Sequence, residues 1–252
     1  MTTRRSELDW IKSEHALTAN PGLWLDKFLD KRNAEDKTSK TSLVKEAVEK
    51  AGNRDLLALY ERFFNGRWKQ SLVDYGANQR EFRVRGRMVV GLGAESVLEA
   101  SISLHRTYGV PYIPGSALKG LARRCAATVE SWGPAHSRVA FGNEKKDDNA
   151  TAGYLTFFDA LYVPGSDTKG HGLHADVMTV HHQDYYMKAN VPPADWDDPN
   201  PVSFLSATGS YLVALAGPTL WVEATFKLLQ IALVEEGIGA KTSSGYGRMQ
   251  LQ

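Results

Sequence analysis

From Ser6 to about Leu72 the apolar residues recur at helical spacing, as in Leu43 and Ala47 and then Leu56, Leu59, Tyr60 and Phe63. Asn20-Pro21-Gly22 and Gly52-Asn53 interrupt that pattern, which predicts an N-terminal helical region over residues 1–75 with polar joints. NAEDKTSKTS, residues 33–42, is charge-dense and is expected to be an exposed loop. After Gly76 the period changes. EFRVRGRMVVGLG alternates, with Phe82, Val84, Met88 and Val90 on one face and Arg83, Arg85 and Arg87 on the other, as in a strand with a basic face.

The remaining pattern predicts a strand over 95–105 and a helix with the stripe Leu118, Leu121, Cys125 and Val129, with Ser116 as its N-cap. Single strands are expected over 153–163 and 204–217. Pro218 to Glu236 reads as a helix with Leu220, Ala224, Leu228, Ile231 and Val234 on or near one face, ended by Gly237. RMQLQ closes the chain as a short strand. Between the middle strands lies a long loop insertion, about 164–203, with several prolines and four of the histidines. The order over 76–252 is that of an α+β domain, compatible with a split βαβ or ferredoxin-like fold.

With 252 residues, 42% hydrophobic and 23% charged, the chain has the composition of a folded domain with a sizeable core. Its single cysteine, Cys125, excludes an intramolecular disulfide and a Cys-rich zinc site. MTTRRSELDW lacks the apolar stretch of a signal peptide, and no run approaches the about 18 apolar residues of a membrane helix, so a soluble, cytoplasmic protein is expected. A net charge of +1 leaves any nucleic-acid binding to local clusters of Arg and Lys.

GIGAKTSSGYG, residues 237–247, invites a phosphate-loop reading. A Walker loop needs G-x-x-x-x-G-K-[ST] between a strand and a helix. Here Ala240 precedes Lys241, Glu235 stands at the first glycine position, and the loop is predicted to leave a helix and enter a strand. Nucleotide binding is therefore not expected. Helix capping and tight turns account for one or two of the four glycines. Lys241, Thr242, Ser243 and Ser244, with Tyr246 and Arg248 beside them, suit contact with a sugar-phosphate backbone. The loop alone leaves that reading and a purely structural one open.

RTYGVPYIPGSALKGLARRC, residues 106–125, and GIGAKTSSGYGR, residues 237–248, together resemble the signature pair of the RAMP superfamily of CRISPR-associated proteins. RVRGRMVVGLGAESVLEASISLHRTYG, FGN at 141–143, GYLTFFDA, DVMTVH at 176–181, Tyr185-Tyr186 and Phe204-Leu205 further resemble the branch that supplies the sixth subunit of type III-B Cmr effector complexes. Val180 departs from it, standing where that branch carries a proline. The resemblance runs from about Phe82 to Arg248. It implies a ferredoxin-like, RRM-like RAMP domain that binds guide (crRNA) and target RNA without cofactors. The implied role is non-catalytic, near the 3′ end of the guide, packed on the backbone RAMP subunit and other Cmr subunits in antiviral defence.

Such a subunit must hold any guide sequence, so it should grip phosphates and stack bases rather than read edges. The candidate contacts are Gly115, Ser116, Lys119 and Arg123 at the helix entry, with Gly239, Lys241, Thr242, Ser243, Ser244, Gly245, Tyr246 and Arg248 in the loop. In this fold the helix entry, with its free N–H groups, and the loop are expected to share one groove at one end of the sheet. Arg83, Arg85 and Arg87 face either RNA or solvent. Asp176, His181, Tyr185, Tyr186 and Trp196 in the insertion are expected to brace it or to line an interface or RNA path. The spacing of His171, His174, Asp176, His181 and His182 does not specify a tetrahedron, so no metal is expected. His105 and His136 define the alternative, a metal-independent RAMP endoribonuclease that processes guide RNA.

Overall fold

In the computed structural model the described residues are Trp10, 19–29, 37–93, 101–143, 150–180, Pro192 and 200–252. Their centre is an antiparallel sheet. Strand β1 (Asn78–Val84) pairs on one side with β10 (Met249–Leu251) and on the other with β9 (Ser210–Ala216). Beyond β9 lie β6 (Ala160–Tyr162) and then β2 (Tyr112–Ile113), while β5 (Thr156–Phe157) also pairs with β9. Helix α5 (Gly115–Ala126) follows β2, α6 (Pro134–Phe141) leads into the short pair β3 (Gly142–Asn143) and β4 (Thr151–Ala152), and α7 (Thr219–Glu235) links β9 to β10.

Strand β9 is buried along its whole length. Successive side chains of a strand point to opposite faces, so both faces of β9 need cover. The Arg80 guanidinium lies 4.5 Å over the Phe226 ring of α7, which puts Arg80, its partner Val213 and the neighbouring Phe82–Tyr211 pair on the helix side. Leu212 and Ala214 face away from those helices and are also buried. Tyr60, Phe64 and Leu72 join the same core from the N-terminal helices α3 (Arg54–Arg62), a π-helical turn (Phe63–Trp68) and α4 (Lys69–Asp74). The Tyr60 hydroxyl donates to the Tyr162 carbonyl, tying that region to β6.

The expected strand over 153–163 is divided into β5 and β6. From Phe157 to Leu161 is four steps, whereas their partners Leu215 and Leu212 are three apart, so one extra residue makes a β-bulge. The bulge turns Asp159 toward α5, and its carboxylate accepts the Gly115 N–H at 2.8 Å. Asp159 therefore caps α5 from another strand, and Ser116 is an exposed first-turn residue rather than the N-cap. Residues 101–105 form an isolated bridge, Leu104 to Pro111, and single backbone hydrogen bonds such as the Ser103 N–H on the Val90 carbonyl, instead of the expected regular strand, whose 95–100 part lies outside the described residues.

The expected strand over 204–217 is also two elements. Gly209, at φ +84°, separates β9 from β8 (Asn200–Ala207), which pairs with β7 (Leu173–Val180) in a two-stranded ribbon. The insertion is thus strand, not loop, over 173–180, because cross-strand pairing gives both segments the backbone partners they lack alone. Leu173 and Leu205 pack with Trp24, Leu43, Val44 and Ala47 of α1 (Pro21–Lys27) and α2 (Lys37–Ala51). That packing makes residues 37–42 the first turns of a helix despite their polar sequence; residues 33–36 lie outside the described residues.

Helix α7 buries Val222, Thr225, Phe226, Leu228, Leu229, Ala232 and Leu233. Of the face expected from the sequence, Leu228 is buried, but Leu220 is 86% and Ile231 51% exposed. The helix is apolar on most sides, so periodicity does not select its inward face. Phe226→Ala is expected to cost about 3–5 kcal/mol in urea unfolding, and Leu220→Ala within about 0.5 kcal/mol. Equal costs would contradict the observed orientation.

Candidate nucleic-acid interface

The glycine-rich loop starts where α7 stops. Gly237, at φ +78°, donates its N–H to the Ala232 carbonyl at 2.9 Å. The two arms of the loop are joined by the Ile238 N–H on the Gly247 carbonyl (2.9 Å). They are also fastened to the segment after β1, by the Ala240 N–H on Val89 and the Gly247 N–H on Arg87, both 2.8 Å. A Cβ on Gly239 would enter the Val89 carbonyl, and one on Gly247 the Ile238 carbonyl. Close backbone approach and positive φ therefore account for Gly237, Gly239, Gly245 and Gly247 without a ligand, more than helix capping alone explains.

The tip is a single 3-10 turn, Thr242–Ser244. The Lys241 carbonyl accepts the N–H groups of Ser244 (3.0 Å) and Tyr246 (3.2 Å). Lys241 itself sits at φ 58°, the only non-glycine with positive φ among the described residues. Ser243 and Ser244 are exposed, and Lys241 has no acidic partner among the described residues.

The expected single groove does not form. Helix α5 starts beside Phe157, at the Asn78–Leu215 end of the sheet, and runs toward the opposite end, where Arg124 pairs with Glu236 next to the loop. With 12 residues it is about 18 Å long. Gly115 and Ser116 thus lie at the end away from the loop, Lys119 is part-way along, and Arg123 is in the last turn. The Gly115 N–H is already committed to Asp159, and its Cβ position is filled by the Phe157 carbonyl. Two helix C-termini meet at the loop end, which is the negative end of each dipole. Positive charge there has to come from side chains. Arg248 is one, although its Nη1 donates to the Val234 carbonyl at 2.9 Å and so also caps α7.

The three arginines do not share a strand face, because β1 ends at Val84 and Gly86, at φ +91°, turns the chain. Arg83 and Arg85 are exposed, with Arg83 donating to the Ser166 carbonyl at 2.9 Å; Arg87 is half-buried. Tyr246 leans against Phe204, with ring centroids 6.2 Å apart, and its hydroxyl donates to Asp176 Oδ2 at 2.9 Å. Asp176 thus braces the loop from the ribbon. His181, Tyr185, Tyr186 and Trp196 lie outside the described residues.

A family model of the RAMP superfamily matches residues 81–250, from β1 to β10 and including the loop and both sheet-covering helices. The chain belongs to the RAMP superfamily. It is 33% identical to the CRISPR system Cmr subunit Cmr6 of Pyrococcus furiosus, with 76% of this chain and 72% of that protein covered. The crystal structure of Cmr6 from Pyrococcus furiosus is 32% identical, with 70% of this chain and 98% of that chain covered at a TM-score of 0.42. A type III-B Cmr-beta complex bound to cognate target RNA contains a chain of the same fold. There the TM-score is 0.60 at 20% identity, over 96% of this chain and 94% of that one.

Among the described residues of this RAMP domain, His105 and His136 both make local contacts. His105 Nδ1 accepts the Thr107 N–H, with its ring against Phe63 and Tyr108, and His136 Nδ1 accepts the Gly133 N–H beside Trp132 and Trp221. Sequence reasoning missed Asp167, because only the fold brings its partners together. Its carboxylate takes hydrogen bonds from Tyr162 (3.0 Å) and Thr208 (3.2 Å) and lies 3.0 Å from His174 Nε2. Thr208 Oγ1 approaches the same His174 nitrogen at 3.0 Å, so this is no nucleophile–base–acid relay, which needs the two ring nitrogens to serve opposite partners. The cluster joins the base of the ribbon to β6 and the β8–β9 turn.

Burial pushes the Asp167 carboxyl up, but hydrogen bonds from His174, Tyr162, the Gly172 amide and Thr208 outweigh it and hold it at about 2. Burial holds His171 and His174 below the ordinary histidine value, partly offset by Asp167. A depressed folded pKa means stability present above the unfolded value and lost on acidification. The urea midpoint is therefore expected to fall as pH drops below about 6.5 through the histidines, and again below about 4 through Asp167. His174→Gln should flatten the first phase; a midpoint that rises between pH 7.5 and 5 would contradict this assignment.

Proposed function

We propose that this chain is a non-catalytic, RNA-holding subunit of a type III-B Cmr effector complex. In that complex it would hold the 3′ region of the guide RNA, beside the target strand, and pack on the backbone RAMP subunit. The observation that carries the reading is Lys241. Every other left-handed position among the described residues is glycine, which adopts that conformation without steric cost. A side chain there costs roughly 1–2 kcal/mol. A strained residue retained at the tip of an exposed loop, with its ammonium unpaired among the described residues, fits a contact with phosphate.

The fold supports the same reading. Numbered as a βαββαβ series, the strand order β10-β1-β9-β6 is 4-1-3-2, which supports a ferredoxin-like reading of the RAMP domain. RRM domains of this topology stack bases on an open sheet face. Here β9 is covered on both faces, so RNA contact falls to the loops and helix sides at the sheet ends. Lys119 and Arg123, on the way to the loop, are the helix residues that extend the track. No helix among the described residues is long and apolar enough to cross a membrane, which is compatible with a cytoplasmic complex.

The decisive substitution is Lys241→Gly. It should raise Tm by about 2–4 °C by relieving the left-handed strain, and at the same time weaken guide-RNA binding and reduce the salt slope by about 1. Equal affinity across a salt series would remove the loop from the RNA path. Repeat RNA should remain intact on incubation with the chain; specific cleavage lost in His105→Ala or His136→Ala would favour a nuclease instead.

A further inference from the structure

We propose that Asp176 is a positioning residue for the glycine-rich loop: by holding the Tyr246 hydroxyl it sets the backbone at Lys241, and so the direction in which the Lys241 ammonium is presented to a phosphate. This rests on the RNA-holding role of the loop and adds its control from the ribbon. Three links make the path. Asp176 is rigid, because Oδ1 accepts the Val177 N–H and Oδ2 the Tyr246 hydroxyl, both at 2.9 Å. Its strand is rigid as well, with His174 in the Asp167 cluster two residues earlier and Leu173 in the core formed with α1 and α2.

Tyr246 then transmits the constraint. Its ring rests on Phe204, and its N–H closes the tip by donating to the Lys241 carbonyl at 3.2 Å. A left-handed lysine persists only where its surroundings over-determine it, and this bond and the one from Ser244 are the restraints on its carbonyl side. Burial and the Asp176 contact both raise the Tyr246 hydroxyl pKa, so it remains a donor at neutral pH.

Electrostatics alone makes the opposite prediction. A carboxylate beside a phosphate-binding loop repels the ligand, so its removal would tighten binding. The positioning role predicts that removal weakens it.

The test measures binding of a fluorescently labelled guide RNA to the full chain at low salt. Asp176→Ala should weaken binding on the order of fivefold to tenfold, the scale of one charge-assisted hydrogen bond, with Asp176→Asn, which keeps an acceptor for the hydroxyl, near the parent. Tyr246→Phe, which deletes only the hydroxyl and keeps the packing, should match Asp176→Ala, and the pair together should lose no more than either. In a Lys241→Ala background Asp176→Ala should have no further effect, because it acts through that lysine. Unchanged or tighter binding in both Asp176→Ala and Tyr246→Phe, while Lys241→Ala still weakens it, overturns the positioning role alone. A further loss from Asp176→Ala in the Lys241→Ala background overturns it too. A parent chain that binds no guide RNA, or binding indifferent to Lys241→Ala, overturns the RNA-holding reading and this inference with it.

Discussion

Burial of β9 on both faces is the constraint from which the rest of the molecule follows. A strand that is apolar on both faces apart from Ser210 has to be covered twice. Helices α5 and α7 cover the Val213 face, and Tyr60, Phe64 and Leu72 of the N-terminal helices pack into the same core. That closes β9 to solvent on both sides and leaves the glycine-rich loop exposed at one end of the sheet. Both covering helices run in the same direction, so one end gathers their N-termini and the other their C-termini together with the glycine-rich loop.

That arrangement separates this loop from a phosphate-binding nucleotide loop in physical terms. A nucleotide loop draws on the positive end of a helix, whereas this one hangs from the negative end of α7 and close to that of α5. Arg123 and Arg124 in the last turn of α5, and Arg248 on the Val234 carbonyl, offset those ends. The attraction left for an anion belongs to side chains, foremost Lys241. The glycines, which look like the binding element, are needed first to let two backbone arms and the Val89 and Arg87 carbonyls approach one another.

The ribbon is what makes a loop of this kind stiff. It is packed on one face by α1 and α2 through Leu173 and Leu205, and on the other it offers Phe204 and Asp176 to Tyr246. The Asp167, His174, Thr208 and Tyr162 cluster fixes its base. The N-terminal helices, the insertion and the C-terminal loop are thereby one mechanical unit, although they lie far apart in the chain.

Much of the architecture was legible in the residues. The change from helical to alternating period near Gly76, the stop at Gly237, the buried set Phe82, Val84, Met88 and Val90, and the paired motifs of the RAMP family depend on short-range geometry that any segment carries with it. Tertiary structure decided the rest. It chose Val222 and Phe226 over Leu220 as the inner face of α7, because a helix apolar on most sides is oriented only by what it packs against. It put Gly115 and the loop at opposite ends of the sheet, because a helix has a direction that its spacing does not reveal. It capped α5 with Asp159 across 44 residues and bound Tyr246 to Asp176 across 70, since partners so distant in sequence meet only when the sheet and the ribbon have closed around them.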